Sequence, residues 1–306
     1  MIGDVWVEVS IAVTPDTVES VAEVIFRYTE GGVSIDHAVE GPIAEAWATD
    51  IPVGQAARPL IVRGYMPDTA SAASRRAALE RAVWHLRQIG PMGDLVVREV
   101  QAADWENAWR DHFQVHRVGK RFVIRPTWRS FTLGEDDAVI ILDPGMAFGT
   151  GLHPTTQLCL RALERLIRPG YRVADVGTGS GILAIGAGLL GAHEVDALDI
   201  DEVAVTTAAQ NVTRNGLEAV VRCRQDGPGS LPRSRYDVVV ANIIARVIEE
   251  HASDLVGSAV MGGTVICSGI LYERHDAVVQ RLMAANLSRP NVEVEGDWCV
   301  LTGVRR

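Results

Sequence analysis

Three glycines at alternate positions decide the architecture of this chain. They sit in Val173-Ala-Asp-Val-Gly-Thr-Gly-Ser-Gly-Ile-Leu-Ala-Ile185. Val173 to Val176 is an apolar run of the kind buried on both faces of a parallel sheet, broken only by Asp175. Gly177, Gly179 and Gly181 follow, and an apolar helix begins directly after them. Glycines at a strand-to-helix turn let the main chain take positive φ and pass close to a ligand. A second apolar run, Val195 to Ile200, carries Asp199 about twenty residues past the first glycine, where a βαβ unit sets an acid against a ribose. Together they predict a nucleotide-like cofactor on an α/β sheet. A dinucleotide fingerprint, G-x-G-x-x-G, requires glycine at Ile182, and the chain has G-x-G-x-G instead.

That spacing, with Asp175 just before it, resembles the first motif of class I S-adenosylmethionine methyltransferases. Such enzymes bind no pyrophosphate and need a turn lying close to the methionine part of the cofactor. Ligands in doubly wound sheets sit at the carboxyl ends of the strands, so the strand-end residues are the candidate contacts. Asp175 lies near the end of the first strand and Gly177, Thr178, Gly179 and Gly181 follow it, and all five are candidate cofactor contacts. Asp199 ends the second, with a carboxylate able to accept both ribose hydroxyls, and Asp201 is expected to cap the next helix. Asp226 follows the third, placed for an adenine amino group. Asn242, in Val240-Ala-Asn-Ile-Ile-Ala245, ends the fourth and can hold an amine nucleophile by donating and accepting hydrogen bonds.

Ahead of the sheet lies Asp143-Pro-Gly-Met-Ala-Phe-Gly-Thr-Gly-Leu-His-Pro-Thr-Thr156, a glycine- and proline-rich loop. It runs into a helix with Pro154 at its start and Thr155 and Thr156 in its first turn, where free N–H groups suit a carboxylate. Phe148 is expected to close over the site.

Alternation of strands and helices from residue 131 to 306 predicts a mostly parallel, doubly wound sheet. Its last two strands, separated by Asp297-Trp298, should pair as an antiparallel hairpin. Residues 1–100 read as β-α-β-β-α-β, the order of a ferredoxin-like α+β domain. In it Thr14 and Pro15 start one helix, Gly31-Gly32 stops it, and Ala73, Ala77, Leu79, Val83 and Leu86 face inward on the second. Residues 101–130 read as a joint with a short helix bearing Trp105, Trp109 and Phe113. His112 and His116 share helical spacing there, and without a third ligand nearby a structural role is expected for them.

A formal net charge of −10 argues against sequence-independent binding of nucleic acid, which rests on neutralising phosphates. It is compatible with a basic protein partner. No apolar run approaches the length of a membrane helix, no signal core opens the chain, and the 4 cysteines are scattered singly, so neither a zinc site nor a disulfide framework is expected. A cytoplasmic monomer is the resulting expectation.

The loop string, the glycine turn, Asp199-Ile-Asp201 and Val240-Ala-Asn-Ile-Ile-Ala245 together resemble the methyltransferases of ribosomal protein L11. Asp104-Trp-Glu-Asn-Ala-Trp109 and Val118-Gly-Lys-Arg-Phe122 extend the likeness through the joint, with Leu152 and Thr178 as small departures. The resemblance implies cofactor contacts at Thr156, Gly177, Asp199 and Asn242, and an N-terminal domain that docks the substrate. It implies trimethylation of lysine side chains and of the α-amine of ribosomal protein L11. Transfer to an amine then needs orientation rather than a dedicated base, with Asn242 as the orienting group. Enzymes that methylate adenine or glutamine carry Asn-Pro-Pro-aromatic after this strand, and Asn242-Ile-Ile-Ala245 lacks both proline and aromatic.

Overall fold

A computed structural model describes residues 5–14, 17–37, 60–67, 72–87, 92–101, 115–132, 134–142, 151 and 153–306. The chain divides into two compact units, Met1–His112 and Phe113–Arg306. No helix among the described residues is long and apolar enough to cross a membrane.

The first unit contains β1 (Val5–Val13), α1 (Val18–Tyr28), β2 (Glu30–His37), β3 (Leu60–Pro67), α2 (Ala72–Leu86) and β4 (Val96–Gln101). The sheet order is β2-β3-β1-β4 with every neighbour antiparallel, which is the ferredoxin-like arrangement. Val9, Ile11 and Val13 of β1 meet the period-four face Val18, Val21, Ala22 and Ile25 of α1, all buried with Leu79 and Val83 of α2. Three local expectations change. Helix α1 begins at Val18, because the Thr14 carbonyl accepts the N–H groups of Thr17 and Val18 in a turn that precedes it. Gly31 and Gly32 lie inside β2, where the pairing with β3 shifts between Glu30 and Val33; the glycines mark a bulge. Ala73, in the first turn of α2, is exposed.

The second unit opens with a small sheet, β5 (His116–Val118), β6 (Phe122–Arg125) and β7 (Ala138–Ile141). His116–Val118 and Phe122–Arg125, read from sequence as joint, are therefore strands linked by a turn. His116 opens β5, so a helical register shared with His112 does not reach it; His112 and the stripe Trp105, Trp109 and Phe113 lie outside the described residues.

The main sheet follows: α3 (Pro154–Leu166), β8 (Arg172–Val176), α4 (Ile182–Leu189), β9 (Glu194–Asp199), α5 (Glu202–Arg214), β10 (Val221–Gln225), β11 (Tyr236–Asn242), α6 (Ala245–Glu250), α7 (Ala252–Ser258), β12 (Ala259–Leu271), α8 (His275–Ala284), β13 (Asn291–Glu295) and β14 (Trp298–Val304). Its order is β10-β9-β8-β11-β12-β14-β13. The strands are parallel except β14, which runs antiparallel to both neighbours and makes the expected hairpin with β13. The order reverses between β8 and β11, so the switch point, where such sheets hold ligands, is the carboxyl end of β8. Buried side chains such as Val173, Ala174, Val195, Ala197, Val239 and Val240 fill the central strands.

Two devices fix the helices that frame this end. Asn215, just past α5, both donates to the Ile141 carbonyl and accepts from its N–H, each at 2.8 Å, extending β7 as a strand neighbour would. The Glu164 carboxylate of α3 accepts the N–H groups of Lys120 and Arg121 in the β5–β6 turn. Gly119 in that turn has φ +66°, and a Cβ there would overlap Glu164, so this corner is built around a glycine.

Candidate functional site

The turn after β8 is shaped by backbone. Gly177, Gly179 and Gly181 have φ of +73°, +54° and +84°, a region that costs an ordinary residue about 1–2 kcal/mol. A Cβ on Gly177 would also overlap the Ile243 side chain beyond β11. The N–H groups of Gly177 and Thr178 both donate to the Leu198 carbonyl, at 2.8 and 2.9 Å, which joins the turn to the end of β9. From α5 the buried Asn211 donates to the Ser180 carbonyl at 2.8 Å. The loop is therefore held from behind before any ligand arrives.

Asp199 ends β9 facing this turn. Its Oδ2 accepts the Gly179 N–H at 2.9 Å and its Oδ1 accepts the Asp201 N–H at 3.1 Å. Each oxygen keeps acceptor capacity, so the carboxylate can take two vicinal hydroxyls, one per oxygen. Burial raises its pKa from the ordinary carboxylate value, and hydrogen bonds from the Gly179, Asp201 and Ile200 N–H groups oppose that rise. Asp201 caps α5 through the Val203 N–H at 3.0 Å, as its position suggested. Ile200, between the two acids, is 64% exposed. An isoleucine left in the open beside a ribose-type acceptor gives the site an apolar wall, and nothing in the sequence pattern set it apart from the apolar strand before it.

Asp175, a candidate cofactor contact from the sequence, is fully buried. Its Oδ2 accepts the Thr178 hydroxyl at 2.7 Å and the Ala184 N–H at 3.0 Å, while Oδ1 has no hydrogen-bond partner among the described residues. Asp175 thus braces the glycine turn against the first turn of α4. Thr178 turns its hydroxyl inward to serve that brace. Burial pushes the Asp175 pKa up to about 7, against the pull of its two hydrogen bonds.

Asp226 follows β10, its N–H bonded to the Asp199 carbonyl at 2.8 Å, which sets it beside the ribose acid. One of its oxygens accepts the N–H of the next residue, Gly227, at 3.0 Å. The other oxygen remains for a ligand.

Asn242 closes β11 in register with Ser268 of β12. Its Nδ2 lies 3.4 Å from Thr156 Oγ1 in the first turn of α3. The next residue is locked in place: the Ile243 N–H donates to the Ser268 carbonyl at 3.1 Å, and a Cβ on Gly269 would overlap the Ile243 carbonyl. The Asn242 side chain carries both a donor and an acceptor at the end of β11, beside the switch point.

Helix α3 starts as expected at Pro154, with Thr155 and Thr156 buried in its first turn. Its N-cap is His153, which the sequence did not single out. Phe148, the expected lid, lies with the rest of 143–150 outside the described residues.

Comparison with known proteins follows the same geometry. The family model for ribosomal protein L11 methyltransferase matches residues 5–306. The ribosomal protein L11 methyltransferase of Pelotomaculum thermopropionicum is 41% identical over 303 residues, covering 97% of this chain and 97% of its own. That of Chloroflexus aurantiacus is 39% identical over 322 residues, again with 97% of each chain covered. The crystal structure of a ribosomal protein L11 methylase from Lactobacillus delbrueckii subsp. bulgaricus matches with a TM-score of 0.59 at 34% identity, over 63% of this chain and 100% of that one.

Proposed function

The chain belongs to the ribosomal protein L11 methyltransferase family and uses S-adenosylmethionine, and we propose that it trimethylates lysine side chains and the N-terminal α-amine of ribosomal protein L11. The observation that carries this reading is the pairing of Asp199 with the glycine turn. A carboxylate with one free acceptor site on each oxygen, next to main chain that no Cβ obstructs, fits a ribose joined to a short amino-acid arm. S-Adenosylmethionine, when bound, supplies a methyl group on a sulfonium sulfur.

The residues divide the work. Asp199 grips the ribose hydroxyls, Ile200 backs the base and Asp226 takes its exocyclic amine. Gly177 and Gly179 lie along the methionine arm, and the first turn of α3, with Thr155 and Thr156, faces its carboxylate. Asn242 accepts a hydrogen from the incoming amine through Oδ1 while Thr156 holds the amide in orientation.

A lysine amine has a pKa near 10.4, so roughly one in 2,500 is neutral at pH 7. Approach to a cationic sulfonium in a partly buried site lowers that value and exposes the lone pair. Positioning then supplies the rate, and the proton leaves to solvent without a dedicated base. The first unit, with its ferredoxin-like sheet and an acidic balance of 14 Asp and Glu against 8 Arg over residues 1–100, docks the basic substrate. The protein acts as a monomer in the cytoplasm, where its substrate is made.

The test uses purified L11 and methyl-labelled S-adenosylmethionine, followed by mass spectrometry of peptides. Trimethylated lysines and a trimethylated N-terminus are expected. Label confined to another ribosomal protein, or to monomethylated sites, would overturn the substrate or the degree. Asn242→Ala should lower kcat by a factor of roughly 10². Full activity in that variant, with unchanged cofactor affinity, removes Asn242 from its role.

A further inference from the structure

Helix caps are usually Ser, Thr, Asp or Asn, yet α3 is capped by an imidazole. His153 has extended backbone (φ −69°, ψ 137°) and its side chain accepts from the Thr155 N–H. The Nδ1 atom lies 2.7 Å from Thr155 Oγ1 and 3.4 Å from Thr155 N. A nitrogen that accepts from a backbone N–H carries a lone pair, so the ring proton resides on Nε2, and the hydroxyl, too, donates to Nδ1. The ring is wedged edge-on against Trp298, with centroids 4.9 Å apart and planes at 69°. Trp298 is almost fully buried at the start of β14.

One residue further along the same turn, Thr156 meets Asn242. A single contact chain therefore runs from the β13–β14 hairpin through Trp298, His153 and Thr155 to the side chain that faces the acceptor amine.

We propose that His153 is a positioning residue for methyl transfer: by capping α3 it fixes Thr155 and Thr156, and through Thr156 it sets the amide of Asn242. It touches neither reacting atom. Its effect on the reaction passes through a helix start that it holds in one arrangement, with Trp298 preventing the ring from swinging away. The inference rests on reading this turn as part of the cofactor site.

The experiment compares His153→Ala, His153→Asn and Thr155→Val with the intact protein. Calorimetry with S-adenosylhomocysteine reads cofactor affinity; steady-state assays on L11 read kcat and the two KM values. His153→Ala should weaken S-adenosylhomocysteine binding roughly fivefold, the effect of a lost N-cap. It should raise KM for S-adenosylmethionine and lower kcat, with KM for L11 unchanged. His153→Asn, whose side-chain oxygen can accept the same N–H, should recover most of the loss. Thr155→Val, which keeps the N–H and loses the hydroxyl, should fall between; it also carries the test if His153→Ala does not stay folded.

Wild-type binding and turnover in His153→Ala overturn the proposal. So does an asparagine variant as impaired as the alanine one, or a loss in which both KM values rise together. Asp199→Ala is the control: if it too binds S-adenosylhomocysteine normally, the reading of the pocket fails. If it loses binding while His153→Ala does not, only the role of His153 fails.

Discussion

The two ends of the seven-stranded sheet treat buried acids in opposite ways. Asp196 and Asp199 lie three residues apart on the same strand. At the amino end, Asp196 Oδ2 accepts the Tyr236 hydroxyl at 2.7 Å, and the Arg235 guanidinium lies 3.7 Å from it and 2.8 Å from Glu194. Every strong partner there is a side chain of the protein, and the cluster is closed. At the carboxyl end, among the described residues, Asp199 is held by backbone N–H groups, and Asp175 by a hydroxyl and an N–H. Among the described residues no cation forms an ion pair with either one, and burial raises both pKa values. Charge left uncompensated inside a protein is costly, and sites that hold ligands are where that cost is retained. On the proposed reading of the site, a cationic cofactor would supply the missing charge.

Asp199→Ala should break this contrast most severely. Two hydrogen bonds donated to a charged acceptor are each worth about 1.5–3 kcal/mol, so S-adenosylhomocysteine affinity should fall by roughly a hundredfold or more. The melting temperature of the ligand-free protein should stay level or rise, because a desolvated carboxylate has been removed. Calorimetry and thermal melts check both halves. A lowered melting temperature with intact affinity would make Asp199 a structural acid like Asp196.

Gly177→Ala comes next. Strain at φ +73° and overlap with Ile243 should push the turn outward, weakening cofactor binding about tenfold and lowering the melting temperature by several degrees. Equal affinity in this variant would show that the cofactor does not lie against Gly177.

Much of the open end was legible in the sequence, and the reason is local. Alternate glycines and an acid at the next strand end are demanded by main-chain conformation and by a ribose, so they stand in the string itself. Alternation of strands and helices gave the mostly parallel sheet and its closing hairpin, while the order of the strands is set by long-range pairing and leaves no mark in the string. Facing was not legible for Asp175, since a strand buried on both sides gives no alternation to say which way a polar residue points. The Thr156–Asn242 contact joins residues 86 positions apart and leaves no periodic mark. The cap by His153 escaped because histidine is a rare N-cap, although Pro154 beside it signalled the helix start. In the first unit, Gly31-Gly32 looked like a helix stop because a bulge and a stop use the same residues.

The pH dependence of Asp175 sharpens the comparison with a smaller effect on affinity. Its folded pKa of about 7 stands above the ordinary carboxylate value of about 3.9. Between those values the folded protein binds the proton and the unfolded chain does not. Stability of the ligand-free protein should therefore fall as pH rises through that window, and level off above it. Asp175→Asn should flatten the slope and melt higher than the intact protein at pH 8, because an amide oxygen still accepts from Thr178 and Ala184. Binding of a cationic ligand should lower the Asp175 pKa and release protons near pH 7. Calorimetry in buffers of different ionisation heat measures that release, and Asp175→Asn should abolish it. A stability profile that rises with pH over this range would contradict the assignment.

Tyr236→Phe is the complementary variant at the closed end, and its effect on cofactor affinity should be nil. Burial and the bond to Asp196 raise the phenol pKa above its usual value, so the group is a neutral donor throughout the working range. Removing it leaves Asp196 still facing Arg235, whose charge limits the loss to about 1 kcal/mol. The melting temperature should drop by about 2–4 °C, while kcat, both KM values and S-adenosylhomocysteine affinity stay as in the intact protein. If cofactor affinity falls with stability, the two ends are coupled through β9, and the separation of a closed structural cluster from an open binding one fails.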